Sequence, residues 1–232
     1  MIIDKKGEFV SNRFTTIKFS NDALSPIRQI FYNLRDRGYD PTDDIGIKLH
    51  ESDNGEFEGV NMLWAFAKSN EAMRFFRKIL DGCELSIARD LIGENRENMR
   101  VVQSNIIVVR GSYPEGKWHS DMTDRELGSN QCATLLAPLF TMPDYIGGLE
   151  ITSASRETLQ YDEFSSVYKY QNGEAILFDG SSMLHRTQAY NARADELRVL
   201  MCWQLADVNE RTTHVLQRIG RKNGDPMFLE AH

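Results

Sequence analysis

Beyond about residue 101 the chain changes texture, and runs rich in β-branched and aromatic residues follow one another with little between them. They are NIIVVRGSY, CATLLAPLF, GGLEITS, SSVYKYQNG, EAILFDGS and LRVLMCWQLA, most of them edged by turn-forming residues. Parallel neighbours need a crossover of about a dozen residues or more, and most of these gaps leave no room for one. The spacing therefore predicts antiparallel strands, and their number predicts a sandwich or jelly roll rather than a doubly wound parallel sheet.

The first hundred residues carry a different period. In NDALSPIRQIFYNLRDRGYDP, Ile27, Ile30, Phe31 and Leu34 recur at helical spacing, and Gly38 and Pro41 supply the stop. EAMRFFRKILDG predicts a second helix with Met73, Phe76, Ile79 and Leu80 on one broad face, and residues 84–93 a third. The acidic stretch HESDNGEFEG between the first two helices reads as a loop. The expectation is one domain over 1–232, mainly β with flanking helices. It comprises a mostly helical support (1–100), a jelly-roll core (101–206) and a tail (207–232).

A net charge of −7 works against phosphate backbones and anionic membranes, so neither nucleic acid nor membrane is an expected partner. The one basic segment, Arg211 to Lys222, reads as a solvated surface. Cys83, Cys132 and Cys202 are odd in number and far apart, which fits free thiols in a reducing compartment. MIIDKKGEF has no long apolar run of the secretory kind, and no stretch of about 18 apolar residues occurs. A cytoplasmic protein is the expectation.

The chemistry gathers around GKWHSD. In an extended segment, residues two apart share a face, so His119 and Asp121 project together while Trp118 and Ser120 point away. Alone, such a pair is often a rim histidine bonded to a carboxylate. His185, beyond the strand and Gly-Ser turn of EAILFDGSSML, is the candidate third ligand. Two histidines and one carboxylate on one side of a metal leave the other positions open, as in non-haem Fe(II) oxygenases. Arg198 opens the last apolar run, on one face with Leu200, Cys202 and Gln204, while Val199, Met201, Trp203 and Leu205 take the other. Pointing inward, its planar fork needs an anion and suits a carboxylate; otherwise it is half of an ion pair with Asp195 or Glu196.

The ordered set YPEGKWHSD, GGLEI, NGEAILFDGSSMLHRTQ and RVLMCWQL resembles the core of the Fe(II)- and 2-oxoglutarate-dependent dioxygenases, in particular the prolyl-hydroxylase-like branch. It spans about residues 101–206, slightly under half the chain. The resemblance implies a double-stranded β-helix (jelly-roll) core. It further implies Fe(II) held by His119, Asp121 and His185, and Arg198 on the distal carboxylate of 2-oxoglutarate. Tyr113 is a candidate hydrogen-bond donor to that cosubstrate. The connection from His185 to Arg198 is long for the pattern, so Arg193 competes for the carboxylate. The implied reaction couples oxidative decarboxylation of 2-oxoglutarate, with O2, to oxidation of an unactivated carbon. An intact Asp121 favours hydroxylation, desaturation or ring closure over halogenation, with hydroxylation foremost.

Substrate choice in such a fold falls to loops. The candidates are His50 to Gly59, MTDRELGSNQ and SASRETLQYDEF, with Arg125 as the preferred contact for a small, polar, amino-acid-like substrate. A peptide or protein side chain is the alternative substrate. A cupin-like module that binds metal or ligand without catalysis is the alternative function.

Overall fold

The computed structural model describes residues 14–49, 61–78, 80, 99–122, 124, 126–127, 131–152, 165–224 and 226–229. Its frame is a seven-stranded antiparallel sheet in the order β1-β8-β5-β10-β4-β3-β2. The strands are β1 (Phe14–Lys18), β2 (Ile45–Leu49), β3 (Asn61–Ala67), β4 (Met99–Arg110), β5 (Cys132–Pro138), β8 (Glu174–Asp179) and β10 (Leu197–Asp207). A three-stranded sheet, in the order β7-β6-β9, faces it: β6 (Leu149–Thr152), β7 (Ser165–Tyr168) and β9 (Leu184–Thr187).

Alternation along β10 sets the two layers. Val199, Met201, Trp203 and Leu205 enter the main core on the outer face of the large sheet, and Arg198, Leu200 and Cys202 line a pocket on the inner face. Helices α1 (Ser25–Asp36) and α2 (Asn70–Lys78) lay Ile27, Phe31, Leu34, Met73 and Phe76 over that outer core, the buttress that the helical spacing predicts. Trp203 is fully buried there, and its indole N–H donates to the Phe76 carbonyl at 3.2 Å, tying α2 to the central strand. Trp203→Ala is expected to cost about 3–5 kcal/mol, read as a lowered urea midpoint.

All six predicted runs contain strands, and β4 begins earlier than its run, at Met99. Among the described residues of the first hundred, α1 and α2 fall where the spacing predicts the first two helices, and three strands occur that it does not predict. In β3, Leu63, Ala65 and Ala67 pack outward and Met62, Trp64 and Phe66 line pockets inward. Both faces are apolar, so no alternation marks the strand. The tail is also not irregular: α3 (Glu210–Asn223) is capped by Asn209 and closed by Gly224 at φ 71°. Its Arg211, Arg218, Arg221 and Lys222 are exposed as expected, while Val215, Leu216 and Ile219 pack on Val102, Cys132 and Ala206. Helix 84–93, His50 to Gly59, the 153–164 insert, Arg125 and Cys83 lie outside the described residues. Among the described residues, no helix is long and apolar enough to cross a membrane.

Candidate active site

The segment before Asp121 runs antiparallel beside β9. Tyr113 and Tyr190 exchange both backbone hydrogen bonds at 3.0 Å, the Gly116 amide donates to Thr187 at 3.2 Å, and His119 and His185 exchange bonds of 3.0 and 2.8 Å. Residues that exchange both bonds sit opposite each other with side chains on one face, so the register itself brings the two imidazoles together, 4.5 Å between centroids. On the other face Arg186 stacks on Trp118 at 4.5 Å and pairs with Glu115 and Glu150, fastening the segment from behind.

Two close approaches shape this region. A Cβ on Gly147 would lie 2.2 Å from the Gln188 carbonyl oxygen and one on Gly148 2.3 Å from that of Tyr168, so the Gly-Gly pair lets β6 sit between its neighbours. A Cβ on Gly180 would lie 2.7 Å from the Thr134 hydroxyl, which donates to Asp121 Oδ2.

With Oδ2 engaged, Asp121 Oδ1 faces His185 Nε2 at 3.3 Å and His119 Nε2 at 3.8 Å. Each imidazole turns Nδ1 to a backbone carbonyl, Lys117 for His119 at 2.8 Å and Met183 for His185 at 3.2 Å. Nδ1 is thereby the donor, and Nε2 keeps its lone pair for a ligand. His185 is 5% exposed and packs edge-on against Phe178, whereas His119 is 56% exposed and forms the rim.

Burial would raise the Asp121 carboxyl, but the imidazoles of His185 and His119 and the Thr134 hydroxyl outweigh it and hold it at about 2. Burial pulls His185 down, and the Asp121 charge more than offsets it, so His185 is raised. His119 is lowered, by desolvation first and by His185 next, against the pull of Asp121. The donor set fits a divalent ion: an anionic oxygen lies 3.3 and 3.8 Å from two imidazole nitrogens, and the three atoms converge within 4.8 Å, somewhat wider than the roughly 3 Å between cis ligands bound at about 2.1 Å. Thr134→Val leaves Oδ2 without its donor, and a loss of metal affinity of about 10–100-fold is expected by calorimetric titration with Mn(II).

The triad opens into a pocket of about 370 Å³ between the sheets, and Arg198 lines the same pocket. Arg198 is 3% exposed; its Nη2 donates to the Tyr170 hydroxyl at 3.3 Å, and its Nε has no hydrogen-bond partner among the described residues. A buried guanidinium with an unmet donor calls for an anion. Asp195 and Glu196 do not supply it: they pair with Arg193, which is 75% exposed and does not line the pocket. Arg193, the competitor for a cosubstrate carboxylate, is therefore placed at the surface, because its turn carries it outward before β10 begins. Tyr113 lines the pocket, stacked on Tyr190 at 6.2 Å, with its hydroxyl pushed up by burial against the opposing pull of Arg198.

Sequence reasoning missed Thr134 and Tyr170. Burial pushes the Tyr170 hydroxyl up to about 12 against the pull of Arg198, which keeps it protonated. Its signal was the spacing of two to Tyr168 in SSVYKYQNG; Thr134 gave none.

No protein-family model matches the chain, and no curated protein sequence does. Solved structures do match. EctD from S. alaskensis in its apo form superposes with a TM-score of 0.61 at 18% identity, over 89% of this chain and 78% of that one. EctD with bound Fe gives 0.59 at 17%, over 84% and 73%. EctD with 2-oxoglutarate and 5-hydroxyectoine gives 0.57 at 18%, over 84% and 72%. The non-haem α-ketoglutarate-dependent carbocyclase SnoK from nogalamycin biosynthesis gives 0.60 at 15% identity, over 95% and 90%. The likeness extends beyond the strand core into the helical support and establishes the fold: this chain is a jelly roll of the kind those proteins share.

Proposed function

We propose that the protein is an Fe(II)- and 2-oxoglutarate-dependent oxygenase that hydroxylates an unactivated carbon of a small, polar, amino-acid-like substrate. The observation that carries this reading is the buried Arg198, with its unmet Nε, in one pocket with three convergent metal-ligand atoms. A metal-binding module without catalysis gives that arginine no role.

His119 Nε2, His185 Nε2 and Asp121 Oδ1 hold the metal. Arg198 takes the distal carboxylate of 2-oxoglutarate, and the Tyr113 hydroxyl donates to the same cosubstrate. Bound there, Fe(II) with 2-oxoglutarate and O2 supplies the oxidant for a C–H bond, releasing succinate and CO2. The chain's part is to orient the cosubstrate between Arg198 and the triad and to keep water out with Leu136, Leu149, Ile107 and Leu200. A pocket of about 370 Å³ falls within the range of small-molecule sites, which favours a small substrate over a peptide. EctD and SnoK are similar in fold, and neither is a prolyl hydroxylase by name; assignment to the prolyl-hydroxylase-like branch rests on the sequence motifs alone.

The test is succinate formation from 2-oxoglutarate under air with Fe(II), across a library of small amino-acid derivatives and a library of peptides. Stimulation by a member of the first is the expected result. Stimulation by peptides alone moves the substrate class, and none from either removes the catalytic reading.

A further inference from the structure

The register of the large sheet places a second polar site on the inner face, beyond the triad and away from Arg198. Inner-face residues of β10 run Arg198, Leu200, Cys202, Gln204, at about 6.8 Å per step. Gln204 is paired on one side with Thr134, the residue that holds Asp121, and on the other with Gln103. One row nearer Arg198, Cys202 is paired with Asn105, and Asn105 with Phe66. Gln103, Asn105, Gln204 and Phe66, with Trp64 and Lys48, line a cleft of about 190 Å³, and Trp64 lines the main pocket as well.

Gln103 and Asn105 are more than nine-tenths buried, Asn105 at 7% exposed. Asn105 lies beside Cys202 in the register, and its Oδ1 has no partner among the described residues. A buried amide oxygen without a donor is costly, by about 1–3 kcal/mol, and the Asn105 side chain lines the cleft that shares Trp64 with the main pocket.

We infer that this amide cleft is the specificity subsite, and that it takes a neutral group offering an N–H or O–H donor together with an acceptor, such as a carboxamide, lactam or hydroxyl. Asn105 Oδ1 accepts the donor, the Gln103 and Gln204 amides serve the acceptor, and Trp64 packs the apolar body. A carboxylate offers no donor and leaves Asn105 unmet. The substrate then lies across the triad from the cosubstrate, with strand-borne amides selecting it. The inference rests on the proposed oxygenase reading only in calling the occupant a substrate.

The test uses metal-free full-length protein and two probes, 2-pyrrolidinone and N-methyl-2-pyrrolidinone, with binding read by ligand-observed NMR. The lactam is expected to bind at least about 5-fold more tightly than its N-methyl analogue, and Asn105→Leu to erase that preference. Gln204→Met, one row away, is expected to weaken the lactam while keeping the order. Equal binding of the two probes to the unaltered protein, no binding of either, or a preference that survives in Asn105→Leu overturns the subsite. Loss of the proposed function shows instead as failure to bind Fe(II) and 2-oxoglutarate, which this metal-free measurement does not require.

Discussion

Replacing Arg198 with leucine is expected to weaken 2-oxoglutarate binding by about 100-fold or more while metal binding stays within a few-fold of the unaltered protein. A charge-assisted, two-point contact to a carboxylate in a dry pocket contributes several kcal/mol, and each 1.4 kcal/mol is tenfold in affinity. Arg198→Lys keeps the charge but loses the fork, and an intermediate loss is expected. Arg193→Ala is the control: its guanidinium already pairs with Asp195 and Glu196 at the surface, so cosubstrate affinity should not move. The ligand-free protein should respond in the opposite sense. Arg198 is buried with an unmet donor, so leucine in its place is expected to leave the thermal midpoint unchanged or raise it. Function falling while stability holds or rises is the signature of a group kept for a ligand. Unchanged 2-oxoglutarate affinity in Arg198→Leu would remove the arginine from the account.

The second large effect is at Asp121. Asp121→Ala removes the anionic ligand between two neutral imidazoles, and divalent metal affinity is expected to fall by about 100-fold or more, with 2-oxoglutarate-dependent activity lost. Asp121→Asn keeps the shape and one oxygen, so it separates charge from packing; a loss nearly as large is expected because the neutral amide is the weaker ligand for a hard cation. Calorimetry with Mn(II) reads both. Metal binding that survives in Asp121→Ala would place the ion elsewhere. Some loss of stability at neutral pH is expected as well, since the carboxylate is held by the Thr134 hydroxyl and by the imidazoles of buried His185 and rim His119, which keep it at about 2.

What could be read beforehand follows from the range of the interactions concerned. The two faces of β10, the helical faces of α1 and α2, and the pairing of His119 with Asp121 on one face were legible because each is a pattern within a short stretch. The strands β1 to β3 were not: β1 and β2 are five-residue edge strands, and β3 is apolar on both faces. α3 was missed although Asn209 precedes it and Gly224 follows, because its buried face, Thr212, Val215, Leu216, Ile219 and Gly220, carries just three large apolar side chains.

The rest depends on register. The pairing of His119 with His185 fixes how the imidazoles meet, and the pairing of Thr134 with Gln204 puts a donor behind Asp121. Placing Asn105 beside Cys202 turns an ordinary strand residue into the wall of a cleft. None of these pairings is visible before the strands are aligned. The preferred substrate contact, Arg125, lies outside the described residues.

The central claim is that one pocket binds metal through His119, Asp121 and His185 and a dicarboxylate through Arg198. Its most direct test is an anaerobic titration of the purified protein with Fe(II) and then 2-oxoglutarate, followed in the visible spectrum. The account predicts a weak charge-transfer band that saturates with one equivalent of each, is absent in Asp121→Ala and needs about 100-fold more 2-oxoglutarate in Arg198→Leu. A protein that binds Fe(II) but gives no band at any 2-oxoglutarate concentration would contradict it.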